Sequence, residues 1–365
     1  MNSIPQDDLF DEEDEVLNNT VPPRDIFAFN ELRSCADLKR MADKKQIDLQ
    51  PDFQRSDEVW SLAHQTRFLD SLLKNLPIPS MCISQNLNNG NQRIVIDGLQ
   101  RISTIVKFLS ACDDKSKDFV LAKSEDIDER LFGKKVSEIA EYHPEVIEVI
   151  ENVTIPITVL RSDFDKSNHM EYIFTIFQRL NTGSVKLNAQ EIRNCIFSGN
   201  FNRMLSDISK EYQKELDKLS GSRNNTRLKY DEFVLRFFAF QEDFGRYQEP
   251  LARFLNNYMK DKRNLSEEEL KEKREFITNA LNIFSEKLLN SIKDSISRTL
   301  GEAILYGIGK NIDFLKNQKD DFFIDVYQKL KINSAFQGDN VRSSTTRIEK
   351  MTERFSVAEN AFSGR

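Results

Sequence analysis

No apolar run in these 365 residues approaches the ~20 positions that a membrane-spanning helix requires, so no membrane partner is expected. The first residues, Met1-Asn2-Ser3-Ile4-Pro5-Gln6-Asp7-Asp8, lack the basic start and apolar stretch of a secretory leader. Only four cysteines occur, Cys35, Cys82, Cys112 and Cys195, and no two form a CxxC pair. That spacing argues against a zinc knot or a redox couple and fits the reduced thiols of a cytoplasmic protein. No GxxxxGK[ST] segment is present, which excludes a P-loop nucleotide site. There is no internal repeat at solenoid periods either.

Basic excess is also missing. The net charge is −7, and residues 1–25 account for all of it, with eight acids and the single base Arg24. The other 340 positions carry 51 bases and 51 acids, so the body is balanced. Such a tail is expected to be disordered and solvated. A functional reading is competition with nucleic acid for a basic groove.

What the chain does have is a mixed first half and a helical second half. Residues 34–46 read as a helix with Leu38 and Met41 on one side, and Ile47–Gln50 as a short strand. Asp57 is a candidate N-cap for a helix through Asn75, with Val59, Leu62, Leu69, Leu73 and Leu76 at helical intervals, stopped by Pro77 and Pro79. Ser80–Gln85 and Gln92–Ile96 flank the turn Asn88-Asn89-Gly90-Asn91 and read as a hairpin. A helix from Leu99 to Ala111 and a strand at Ile155–Leu160 follow. From about residue 167 every periodic segment is helical, among them Phe201–Leu219, Lys229–Glu242 and stretches over 291–309 and 340–356. The expected fold class is α+β: a tail over 1–25, a mixed domain over 26–165 and an all-α domain over 166–365.

Chemistry concentrates in Arg93-Ile94-Val95-Ile96-Asp97-Gly98-Leu99-Gln100-Arg101. A β-branched run ends in Asp-Gly and a helix begins. Helix N-termini present unpaired amide protons and partial positive charge, which suit an anion. Gly98 permits close backbone approach, and the Arg101 guanidinium can fork onto a phosphate. Asp97 could hold Mg²⁺ bridging phosphates, and Gln100 could orient a water for attack on phosphorus. Alone, an Asp-Gly turn beside a surface arginine is commonplace.

Further segments resemble one family in order and spacing. Gln54-Arg55 with Trp60 and Gln65 resembles its opening signature. Leu69–Pro79 resembles its helix end, "IDSILxxxPIP", and Ile176–Glu191 its "IFxxLNTGGxxLxxxE" segment. With Asp97–Arg101 as the "DGQQR" box, the region of about residues 30–240 resembles the GmrSD-type N-terminal domain, of the ParB/sulfiredoxin-like superfamily. The resemblance implies a nucleoside triphosphate (NTP) site that serves a restriction system against modified phage DNA, with NTP hydrolysis and a DNA-acting partner. By the same resemblance Gln54, Arg55, Asp97, Gly98, Gln100, Arg101, Asn181, Thr182 and Gly183 would surround the nucleotide, with Mg²⁺ on Asp97. Asp97, Gln100 and Arg101 would be the catalytic set.

Two departures matter. Leu99 stands where the family usually has Gln, which puts the rate of hydrolysis in question, and the box holds no cysteine of the sulfiredoxin kind. The family often carries a C-terminal HNH nuclease, which needs a His general base. Here His64, His143 and His169 all precede residue 170, so no HNH activity is expected and a separate nuclease subunit would supply cleavage. Arg342 and Arg347, among four hydroxyl residues at a helix start, are candidate DNA or phosphate contacts. The competing readings are a hydrolase, a non-hydrolytic NTP latch of the ParB kind, and a recruiting protein with a vestigial pocket.

Overall fold

The computed structural model describes residues 22–49, 60–90, 92–123, 126–180, 188–221, 228–341 and 343–364. The acidic tail up to residue 21 lies outside these. The chain divides into two units, Thr20–Leu187 and Asn188–Arg365, each described by itself below.

In the first unit, strand β1 (Phe27–Ser34) runs directly into helix α1 (Cys35–Asp43), because Ser34 Oγ accepts the Asp37 amide proton as N-cap. Next come β2 (Ile47–Asp48), α2 (Leu62–Leu73), β3 (Met81–Asn86), β4 (Arg93–Asp97) and α3 (Leu99–Asp113). After them are α4 (Val136–Tyr142), α5 (Pro144–Asn152), β5 (Thr154–Ser162) and α6 (Ser167–Leu180). The strands form one sheet in the order β1-β5-β3-β4-β2. The expected β3–β4 hairpin is antiparallel, with Ile83 opposite Val95. β3 lies parallel to β5, β1 antiparallel to β5, and β2 parallel to β4.

Alternation along the strands decides what each face meets. Met81, Ile83, Val95, Ile155, Ile157 and Val159 join Leu38, Leu69, Leu72, Ile105 and Phe108 of α1, α2 and α3 in one apolar core. The opposite face carries Cys82, Ser84, Ile94, Ile96, Leu160 and Ser162, all buried too, and α6 packs on β4. Central strands covered on both sides read as continuous apolar runs rather than alternating ones, which is why Arg93–Asp97 looks so uniform.

Several expectations change. β1 was not foreseen: it is an edge strand whose Phe27, Phe29 and Leu32 stay exposed, so no burial alternation marks it. Helix α2 begins at Leu62 under a Ser61 N-cap; Asp57 and Val59 fall outside the described residues. Leu62 and Leu76 point to solvent, while Leu69 and Leu72 are fully buried. The boundary falls after residue 187 rather than after 165, because α6 packs against the sheet. The buried His169 ties it to residues ahead of β1 through Asp25, 2.9 Å from its Nε2.

The second unit is helical throughout its described residues: α7 (Ala189–Ile196), α8 (Asn200–Glu211), α9 (Gln213–Leu219), α10 (Lys229–Asp243), α11 (Leu251–Asp261) and α12 (Glu267–Phe284). A π-helical turn at Ser285–Leu289 leads on to α13 (Arg298–Lys310), α14 (Ile312–Leu315), α15 (Asp320–Ile332) and α16 (Ile348–Phe362). The stretch expected as one helix from Phe201 to Leu219 breaks at Tyr212. The helices expected at 291 and 340 start later, at Arg298 and Ile348. α10 and α13 place a buried ionic network at the centre, with Arg193 Nη2 and Arg236 Nη2 on Glu232 at 2.8 and 2.6 Å and Arg236 Nη1 on Glu302 at 3.1 Å.

Candidate functional site

The Asp97-Gly98 turn joins β4 to α3. Gly98 adopts φ +98° and ψ 12° and is the N-cap of α3, with no side chain capping the helix. A Cβ at Gly98 would lie 2.7 Å from Met81 Cγ, so both conformation and space require glycine. Among the described residues no side chain accepts the first α3 amide protons, so they are available to an external acceptor, and α3, at 15 residues, is long enough to carry a full dipole.

Arg101 reaches back from the first turn of α3. Its Nη2 donates to Asp97 Oδ2 at 2.7 Å and its Nη1 to the Pro79 carbonyl. The Pro77–Pro79 segment thus does more than stop α2: it supplies the carbonyl that holds the guanidinium in place. The Arg101 side chain is 13% exposed and that of Asp97 37%, so the carboxylate is the more open of the two. Leu99 packs against the core of the first unit, so the residue that departs from the family box faces inward.

Gln100 Oε1 accepts the Trp60 amide proton at 3.1 Å. Gln65 Nε2 donates to the Trp60 carbonyl at 2.7 Å, and Lys107 Nζ donates to Gln65 Oε1 at 3.0 Å. Trp60 also meets Phe68 edge-on, 5.4 Å between ring centroids. Burial lowers the Lys107 pKa, and its ammonium lies 4.2 Å above the Phe119 ring. Lys107 follows Gln100 by two helical turns, so both occupy one face of α3. The sequence held that signal, although periodicity alone does not show what such a face contacts.

The structure thus brings Asp97, Gly98, Gln100 and Arg101 together. Gln54, Arg55, Asn181, Thr182, Gly183 and Arg342 lie outside the described residues. Arg347 is the N-cap residue of α16 in the second unit. No group of three or more His, Cys, Asp or Glu side chains arranged for a metal exists among the described residues. A lone carboxylate like Asp97 suits a Mg²⁺ carried in on phosphates rather than a metal held by protein alone. Among the bases between residues 260 and 275, Lys262 and Lys273 meet Glu242, and Arg274 meets Glu211.

His64 Nδ1 lies 2.9 Å from Ser61 Oγ on the α2 surface, and His143 precedes Pro144 at the start of α5. His169 is buried, its Nδ1 accepting the Asp163 amide proton at 3.0 Å. Hydrogen bonds from Lys166 and then His169 hold the Asp25 carboxyl down at about 2.

Among the described residues no helix is long and apolar enough to cross a membrane. No curated protein and no solved structure matches the chain. Residues 38–198 match the family model described as "GmrSD restriction endonuclease, N-terminal domain", a span that runs from within α1 to the end of α7 and contains the whole β4–α3 turn. That segment of the chain belongs to the GmrSD N-terminal domain family.

Proposed function

We propose that the β4–α3 turn binds the phosphates of an NTP together with Mg²⁺, and that the nucleotide controls a DNA-acting partner within a restriction system. The observation that carries this reading is the turn itself: a left-handed glycine, an uncapped helix start and an arginine fixed on the first turn. Open amides and a guanidinium together are what a phosphate oxygen needs. Asp97 shares that arginine, so a bare anion would meet a carboxylate as well as a cation. Mg²⁺ on Asp97 and the phosphates would remove that repulsion, which favours the metal-bound nucleotide over free phosphate. The resemblance of the sequence to ParB/sulfiredoxin-like proteins supplies the expectation of a cytoplasmic, defence-related role.

A non-hydrolytic latch is the second reading. It is favoured by Gln100, whose Oε1 already accepts the Trp60 amide proton and so is not turned to a water, and by Leu99 facing the core. Titration of the purified chain with ATP, GTP, CTP and UTP, with and without Mg²⁺, tests the site. Arg101→Ala should weaken binding of the preferred nucleotide at least 10-fold, and withdrawing Mg²⁺ should do the same. Phosphate release at saturation separates hydrolase from latch. No binding at millimolar concentration of any of the four would remove the NTP reading and leave a recruiting role.

A further inference from the structure

The hydrogen bonds behind Gln100 run in one direction only. The Lys107 ammonium can only donate, and Gln65 Oε1 receives it at 3.0 Å. With that oxygen engaged, Gln65 Nε2 faces the Trp60 carbonyl, which can only accept, at 2.7 Å. The Trp60 amide can only donate, and Gln100 Oε1 takes its proton at 3.1 Å. The orientation of both glutamine amides is therefore dictated by groups whose roles are chemically fixed. The series starts on a cation and ends on the two Nε2 protons of Gln100, which have no partner among the described residues. Polarisation adds along such a chain, so the terminal donor is the end that favours an anion.

We propose that Lys107, Gln65 and Trp60 are positioning residues that lock the Gln100 carboxamide with its donor end left for a phosphate oxygen. Gln100 is then a ligand of the nucleotide rather than the acceptor that orients a hydrolytic water. The inference rests on the NTP reading of the β4–α3 turn. It adds to that reading three residues, two of them on α2 and α3 away from the turn, and a definite polarity for Gln100.

Trp60 is the only tryptophan of the chain, so its emission reports on the relay in the full-length protein without a label. Gln65→Glu replaces the donor facing the Trp60 carbonyl by an acceptor. It should shift Trp60 emission and weaken Mg²⁺–NTP binding about 10-fold, the worth of one hydrogen bond to a charged group, while any turnover at saturation stays the same. Lys107→Met should act in the same direction by a smaller factor, and combining it with Gln65→Glu should cost no more than Gln65→Glu alone. Gln100→Glu keeps an acceptor for the Trp60 amide but loses the donor end. Native-like emission with binding weakened at least 10-fold is expected. Unchanged affinity in both Gln65→Glu and Lys107→Met, or a fall in turnover at unchanged affinity, would overturn the positioning role while leaving the NTP site intact. Wild-type protein that binds none of the four nucleotides would overturn the NTP reading, and the relay's role with it.

Discussion

At Gly98 a backbone demand and a steric one coincide. The φ of +98° costs any L side chain, and Met81 occupies the place of the missing Cβ. Gly98→Ala should therefore destabilise the protein by about 1–3 kcal/mol in a denaturant titration, whatever happens to ligand binding. An unchanged midpoint would mean that the turn relaxes out of the left-handed region. Asp-Gly after a β-branched run announced this residue in the sequence. The partners of Arg101 were not announced in the same way. The Pro79 carbonyl lies 22 residues back in the chain, and its role exists only because β3 and β4 are antiparallel neighbours. Gln100 shows the same limit: its residue type allowed either a water-orienting or an anion-donating role. Only the Trp60 amide, 40 residues away, decides which end is engaged.

Among the elements, α10 carries the heaviest electrostatic demand. Glu232 is buried between guanidiniums. Desolvation pushes its pKa up, but Arg236, Arg193 and Arg298 outweigh that and hold it below the ordinary carboxylate range. A depressed carboxylate stabilises the fold at pH values above its unfolded pKa, and that contribution is lost as pH falls through the folded value. Glu232→Gln should cost about 3–5 kcal/mol at neutral pH, since it leaves the buried Arg193 without its carboxylate and Arg236 with Glu302 alone. The variant should also lose part of the acid-induced destabilisation that the wild type shows below about pH 4. Equal stability of the two proteins at pH 7 would refute the network's role. The helix α10 itself was readable from apolar spacing at Lys229–Glu242. Its buried Glu and Arg were not, because a charged residue inside a helix pattern looks like a solvated one until its neighbours are known. The edge strand β1 escaped for the complementary reason: its large apolar residues remain exposed, so no periodic burial distinguishes it from a loop.

For the whole molecule, charge is the property that the sequence states most directly. Residues 1–21 hold seven acids and no lysine or arginine, so removing them brings the net charge from −7 to zero. If the tail competes with nucleic acid, the shortened chain should bind duplex DNA several-fold more tightly at low salt. The difference should shrink as ionic strength shortens the reach of the tail's field. Identical binding isotherms at low salt would dismiss the competition. The position of the unit boundary was less legible. Composition changes near residue 166, where helices take over, but α6 packs on the sheet and the division comes at 187/188. Element type is a local property, whereas membership of a unit depends on which apolar face an element covers.

The sequence by itself determined the α+β character, the β3–β4 hairpin, the helical second half and the turn at Asp97-Gly98. Each follows from interactions within a few residues of one another: apolar period, proline stops and the conformational freedom of glycine. The tertiary structure alone decided the strand order, the burial of His169 and of the Glu232 network, and the hydrogen-bond polarity that runs from Lys107 to Gln100. Those depend on groups brought together from distant parts of the chain, and a backbone amide or carbonyl carries no mark in the sequence to say which side chain will meet it.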